Sequence, residues 1–76
     1  MTGKIRALDY PNVTRTTYRD YTHVIIVFNE DGSVRDKSFC GSESLVQKRE
    51  RQLERIYEQD YINAKLKIVV SEVEEY

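Results

Sequence analysis

Between Tyr18 and Tyr57 the chain reads YRDYTHVIIVFNEDGSVRDKSFCGSESLVQKRERQLERIY, and the order of signals there constrains the fold more than any other part. At its centre Val24-Ile25-Ile26-Val27-Phe28 is apolar without polar alternation. Such residues favour extended backbone, and a strand apolar on both faces is normally covered on both. Glu30-Asp31-Gly32-Ser33 follows, and Asp-Gly between strand-like runs is a hairpin signal. The returning strand, Val34 to Cys40, is more polar and is expected near an edge. Gly41-Ser42-Glu43-Ser44 then opens a helix: Ser44 with Gln47 fits a capping box, and Ser42 is an alternative N-cap. Leu45, Val46, Leu53, Ile56 and Tyr57 recur at helical spacing as one apolar stripe. The helix should end near Asp60, with Asn63 available as a left-handed cap.

On either side of this unit the pattern is extended. Lys4 to Tyr10 reads as a short strand ended by the Pro11-Asn12 turn signal. Val13 to Thr17 is β-branched or Arg and is expected to continue through Tyr18 to Asn29 as one long strand. Ala64 to Val73 is the last strand, with Ala64, Leu66, Ile68 and Val70 alternating against Lys65 and Lys67. The acidic end from Glu72 to Tyr76 is expected to fray. The predicted class is α+β: a small, mostly antiparallel sheet in β-β-β-α-β order on one amphipathic helix, in a single domain over residues 1–76.

Seventy-six residues, 39% apolar and 33% charged, allow one small core. The helix can cover one face of the Val24–Phe28 strand; the other needs the amino-terminal segment or a second subunit. Cys40 is alone, so no disulfide staples the fold, and no Cys and His spacing suits zinc. Self-association into a homo-oligomer is the expected missing support. Twelve basic and 13 acidic side chains leave a net charge of −1, which argues against nucleic acid as partner. No charged segment followed by an apolar run marks a secretion signal, and Val24 to Phe28 is too short to span a bilayer. With a lone thiol, the expectation is a soluble, cytoplasmic protein without a membrane partner.

Candidate binding residues gather in two places. In Thr14 to His23 cations, hydroxyls and rings alternate: on a strand Arg19, Tyr21 and His23 share one face, with Tyr18, Asp20 and Thr22 on the other. With Arg15, these residues could stack a base and hold its phosphate, or simply form an exposed strand. Arg49 falls between Leu45, Leu53 and Ile56, inside the helix's apolar sector. A cation there must snorkel, pair with a carboxylate or face a ligand, and guanidinium forks suit phosphate. On the helix flanks, Lys48, Arg51 and Arg55 oppose Glu50, Glu54 and Glu58. The plain reading is a solvated helix; the sharper one is a basic stripe meeting phosphates or an acidic partner. Gly41 to Ser44 offers a helix-start anion seat, but capping accounts for these residues and Glu43 already answers the dipole.

Catalysis has little behind it. A nucleophile would have to be Cys40 or a Ser activated by His23, the sole histidine, with no orienting third group in recognisable spacing. A lone Cys before a helix is usually core filler. No enzyme activity, metal or cofactor is expected.

The run TYRDYTHVIIVFNEDGSVRDKSFCGSESLVQKRERQLERI resembles small accessory proteins encoded by bacteriophages, in which a Tyr-Thr-His-type strand leads through a Gly turn to a Gly-Ser start and a charged helix. The likeness covers about half the chain and is one of element order; no functional residue carries over by position. It implies a dedicated binder acting in a host cell, including sponges for cyclic-nucleotide or ADP-ribose-type immune signals. Three functions follow from the residues and this likeness together. One is a sponge that holds a small phosphorylated ligand between subunits, with Arg15, Arg19, His23 and Arg49 on phosphate and Tyr18 or Tyr21 on the base. Another is an inhibitor that presents its helix or a sheet edge to a host protein. The third, single-strand nucleic-acid binding, fits the near-neutral charge least.

Overall fold

A computed structural model describes residues 3–17, 19–59 and 64–76. It is α+β: β1 (Gly3–Ala7), β2 (Thr14–Thr17), β3 (His23–Phe28), β4 (Val34–Cys40), α1 (Glu43–Ile56) and β5 (Lys67–Glu75). The five strands form one antiparallel sheet in the order β2-β1-β5-β3-β4. The sheet curls until its two edges approach. Lys37 Nζ on β4 donates to the Thr14 carbonyl of β2 at 2.9 Å, and the Arg15 guanidinium lies 5.6 Å from the Phe39 ring centre.

The curl explains β3. Val24, Ile25, Ile26 and Val27 are all 0% exposed, because each face meets a different cover. Ile25 and Val27 face α1 and pack with Cys40, Val46, Leu53 and Leu66. Val24 and Ile26 face into the curl, where Ala7 and Val13 from the amino-terminal segment close over them. The second cover is therefore the chain's own start, and this strand needs no second subunit for burial.

The single long strand expected from Val13 to Asn29 is two strands, giving β-β-β-β-α-β. The chain must leave β1, the partner of β2, and cross to β4 and β5, the partners of β3. The polar residues before His23 make that crossing. Arg19 N–H donates to Thr17 Oγ1 at 3.0 Å, a local turn bond that competes with strand pairing. The hairpin is as expected: Gly32 sits at φ +89, its N–H donates to the Asn29 carbonyl at 3.0 Å, and Asp31 Oδ1 accepts from Ser33 N–H and Oγ. Those bonds hold the Asp31 carboxyl below its ordinary 3.8.

Of the two N-caps, Ser42 is the one used; its Oγ accepts from Leu45 N–H at 3.3 Å. The apolar stripe of α1 is narrower than its residue types suggest. Val46 and Leu53 are buried, while Leu45 is 50% and Ile56 67% exposed. At 3.6 residues per turn these two lie about 70–90° from the Val46–Leu53 line, to one side of the stripe that packs on β3. The acidic end is also ordered: β5 runs to Glu75, pairs Glu74 with Arg6 in an ion pair of 2.7 Å, and Tyr76 N–H donates to the Lys4 carbonyl. Strand pairing with β1 outweighs the like charges there. The Asn63 cap lies outside the described residues, and none of their helices is long and apolar enough to cross a membrane.

Candidate binding groove between β4 and α1

The start of α1, the end of β4 and the segment before β3 converge through backbone bonds. Thr22 N–H donates to the Cys40 carbonyl at 3.0 Å, and Gly41 lies against the Asp20 carbonyl, 3.4 Å from where a Cβ would stand. Between them is an open groove of about 410 Å³. Its walls are Arg19 and Tyr21, then Ser38, Phe39, Cys40 and Gly41, then Leu45, Lys48, Arg49 and Gln52. Three of these side chains are cations and none is a carboxylate, in a chain whose net charge is −1.

Arg49, placed by helical spacing in the apolar sector, is instead exposed at the sheet edge. Its Nε donates to Ser38 Oγ at 2.9 Å and its NH1 to Gln52 Oε1 at 3.0 Å. These bonds use two of the five guanidinium donors and fix the plane of the group without neutralising its charge. Tyr21 tilts against Phe39 with ring centres 5.7 Å apart, and Arg15 lies over both rings at 5.3 and 5.6 Å. Arg15 therefore supports the aromatic wall from the curl side and is not itself a groove residue.

Of the six residues expected to bind, Arg19, Tyr21 and Arg49 come together here, and Arg15 stands behind them. Tyr18 lies outside the described residues. His23 is absent from the groove walls; its Nδ1 is hydrogen-bonded to Thr22 Oγ1 at 2.7 Å. The three-way alternation of Arg19, Tyr21 and His23 on one strand face does not arise, since β3 begins only at His23. Two further groove residues are Lys48, one of the basic stripe expected to meet phosphates or an acidic partner, and Phe39, for which the sequence implies no binding role. Phe39 carried one signal, a ring on an otherwise polar strand immediately before the helix start.

His23 and Cys40 are opposite one another across β3 and β4, and Glu72 is opposite His23 on β5. The row places a carboxylate, an imidazole and a thiol side by side, yet it lacks the arrangement for nucleophilic attack. Cys40 is buried, and that burial pushes its thiol above the ordinary 9.0, outweighing the opposite pull of the Arg49 charge. The Cys40 Sγ contact, at 3.9 Å, is to the Ser38 carbonyl. Among the described residues no group of three or more His, Cys, Asp and Glu side chains is set to hold a metal ion.

No protein family, no curated protein and no solved structure matches this chain, so the function of the groove has to be read from its own residues.

Proposed function

We propose that this protein is a non-catalytic binder that captures a small, nucleotide-derived phosphorylated ligand in the β4–α1 groove. The observation that carries the reading is the wall composition: Arg19, Lys48 and Arg49 with no carboxylate, and Tyr21 and Phe39 among the same lining residues. Cations clustered without counter-charge favour an anion, and a guanidinium already oriented by Ser38 and Gln52 loses less freedom on binding phosphate. Tyr21 is the ring to stack a base, since Phe39 packs into the curl with Val24 and Ile26. A volume of about 410 Å³ is within the range of small-molecule sites. Capture without turnover is supported by the raised thiol of Cys40 and by His23 lying off the walls.

The groove is open on one side, where its wall continues into exposed Leu45 and Ile56. A second copy covering these two residues would enclose the ligand at a subunit interface. The likeness to phage accessory proteins supports placing this capture in the host cytoplasm, against an immune signal. Native mass spectrometry of the protein as purified from cells tests the reading. A dimer or larger assembly carrying a phosphorylated adduct, released unchanged on heating, is the expected result. If in addition no member of a broad nucleotide panel raises the melting temperature, the reading fails.

A second reading rests on the outer flank of α1, where Leu45 and Ile56 stand among Lys48, Arg51 and Arg55. An apolar stripe rimmed by cations suits an acidic, amphipathic segment of a host protein. Under this reading Arg51→Glu disrupts a one-to-one complex with a single host protein and leaves nucleotide binding absent throughout.

A further inference from the structure

At the hairpin end of β3, away from the groove, the curl opens into a cavity of about 600 Å³. Tyr10, Val13, Phe28 and Val34 give it an apolar floor, and Lys65 and Lys67 stand on its wall. The Tyr10 and Phe28 rings tilt together with centres 5.1 Å apart. Asp9, Asn12, Asn29 and Glu30 complete a polar rim around this floor, and a ring-lined concavity of this size at the mouth of a curled sheet has the form of a small-molecule site.

The charge that faces the rings follows from strand register. Lys67 is the Cα partner of Phe28, so both side chains rise from the same face of the sheet. Among the described residues Lys67 has no ion pair, whereas Lys65 Nζ is 3.7 Å from Glu30. The remaining carboxylate on the wall belongs to Asp9, whose N–H donates to Ser71 Oγ. The ring pair therefore has the Lys67 cation beside Phe28, on a wall that also carries Asp9 and Glu30. Lys65 adopts φ +52, a left-handed conformation unfavourable for a residue with a Cβ. That bend leads into β5, whose ladder with β3 places Lys67 across from Phe28.

We propose that this mouth binds a small carboxylate with an aromatic or apolar body. The body lies against Tyr10, Val13 and Phe28, and the carboxylate accepts from the Lys67 ammonium. None of the walls is shared with the β4–α1 groove, so the two sites stand or fall separately.

The test is a titration of ¹⁵N-labelled protein with phenylacetate and indole-3-acetate, using phenylacetamide as the uncharged control. Amide shifts are expected at Tyr10, Phe28, Val34 and Lys67, with none at Ser38 or Arg49. Phenylacetate should bind about tenfold or more tightly than phenylacetamide, and Lys67→Gln should remove that preference. Lys67 is exposed, so the substitution leaves the core intact. The proposal is overturned if acid and amide bind equally, if Lys67→Gln leaves the preference in place, or if all three probes leave the mouth unshifted.

Discussion

The two flanks of α1 carry similar numbers of charges and differ in what lies beside them. On the flank toward β4, Lys48, Arg49, Gln52, Leu45 and Ile56 border concave surface. On the other, Glu43 and Glu54 are exposed, as is Glu58 just past the Tyr57 C-cap, and none of the three lines the cavities described above. A net charge of −1 thus conceals a helix polarised across its width. Bulk charge is a poor guide to local field once opposite signs are sorted onto separate faces. Only the cationic flank has both a concavity and aromatic neighbours.

The comparison breaks first at the core beneath both flanks. Leu53, 3% exposed, packs with Val46, Ile25 and Val27, and Leu53→Ala should cost about 2–5 kcal/mol in urea unfolding. Ile56→Ala, at 67% exposure, should change stability by less than about 0.5 kcal/mol. Next comes the sign of the flanks. Lys48→Ala with Arg49→Ala should weaken nucleotide capture about a hundredfold or more, since each removes a charge-assisted bond of about 1.5–3 kcal/mol. Glu54→Ala with Glu58→Ala should alter it less than about threefold, as read by calorimetric titration.

Smaller effects sharpen how the flanks are held. Ser42→Ala should cost about 1 kcal/mol and Ser44→Ala clearly less, because Ser42 Oγ caps the Leu45 N–H. At high pH two groups act together. Burial raises Cys40 above 9.0; burial, then the bond from its hydroxyl to Asp36, raises Tyr57 above 10.0. The unfolded chain releases these protons first, so their contribution is complete below pH 9 and is lost as pH rises through the folded values. Cys40→Ala should flatten the lower part of that decline in a pH series of melting temperatures. At the hairpin the sign is opposite. Asp31 is held below 3.8, so its contribution is present above that pH and is lost as pH falls through the folded value, an effect absent in Asp31→Ala.

Local sequence carried the elements well where local chemistry decides them. The Asp31-Gly32 turn, the apolar run of β3 and the helix start at Gly41 to Ser44 all have short-range causes. What escaped was long-range pairing. The break before His23 exists because β2 and β3 have different partners, which composition from Val13 to Asn29 does not register. The ordered tail depends on β1, some 70 residues earlier, through pairs such as Arg6 with Glu74. The groove was half legible for the same reason. Arg19, Tyr21 and Arg49 stand out as residue types, but the Thr22–Cys40 backbone bond that joins their segments is tertiary. Phe39 and Lys48 become wall residues only when those segments meet.

The central claim, an anion-selective groove between β4 and α1, is tested most directly by mapping ¹⁵N amide shifts against a panel of mono-, cyclic and ADP-ribose-type nucleotides. The account predicts saturable shifts at Arg19, Tyr21, Ser38, Lys48 and Arg49 for at least one member, abolished by Arg49→Ala in a protein whose spectrum is otherwise unchanged. Shifts that survive Arg49→Ala, that fall on the Glu54 and Glu58 flank, or that never appear would contradict it.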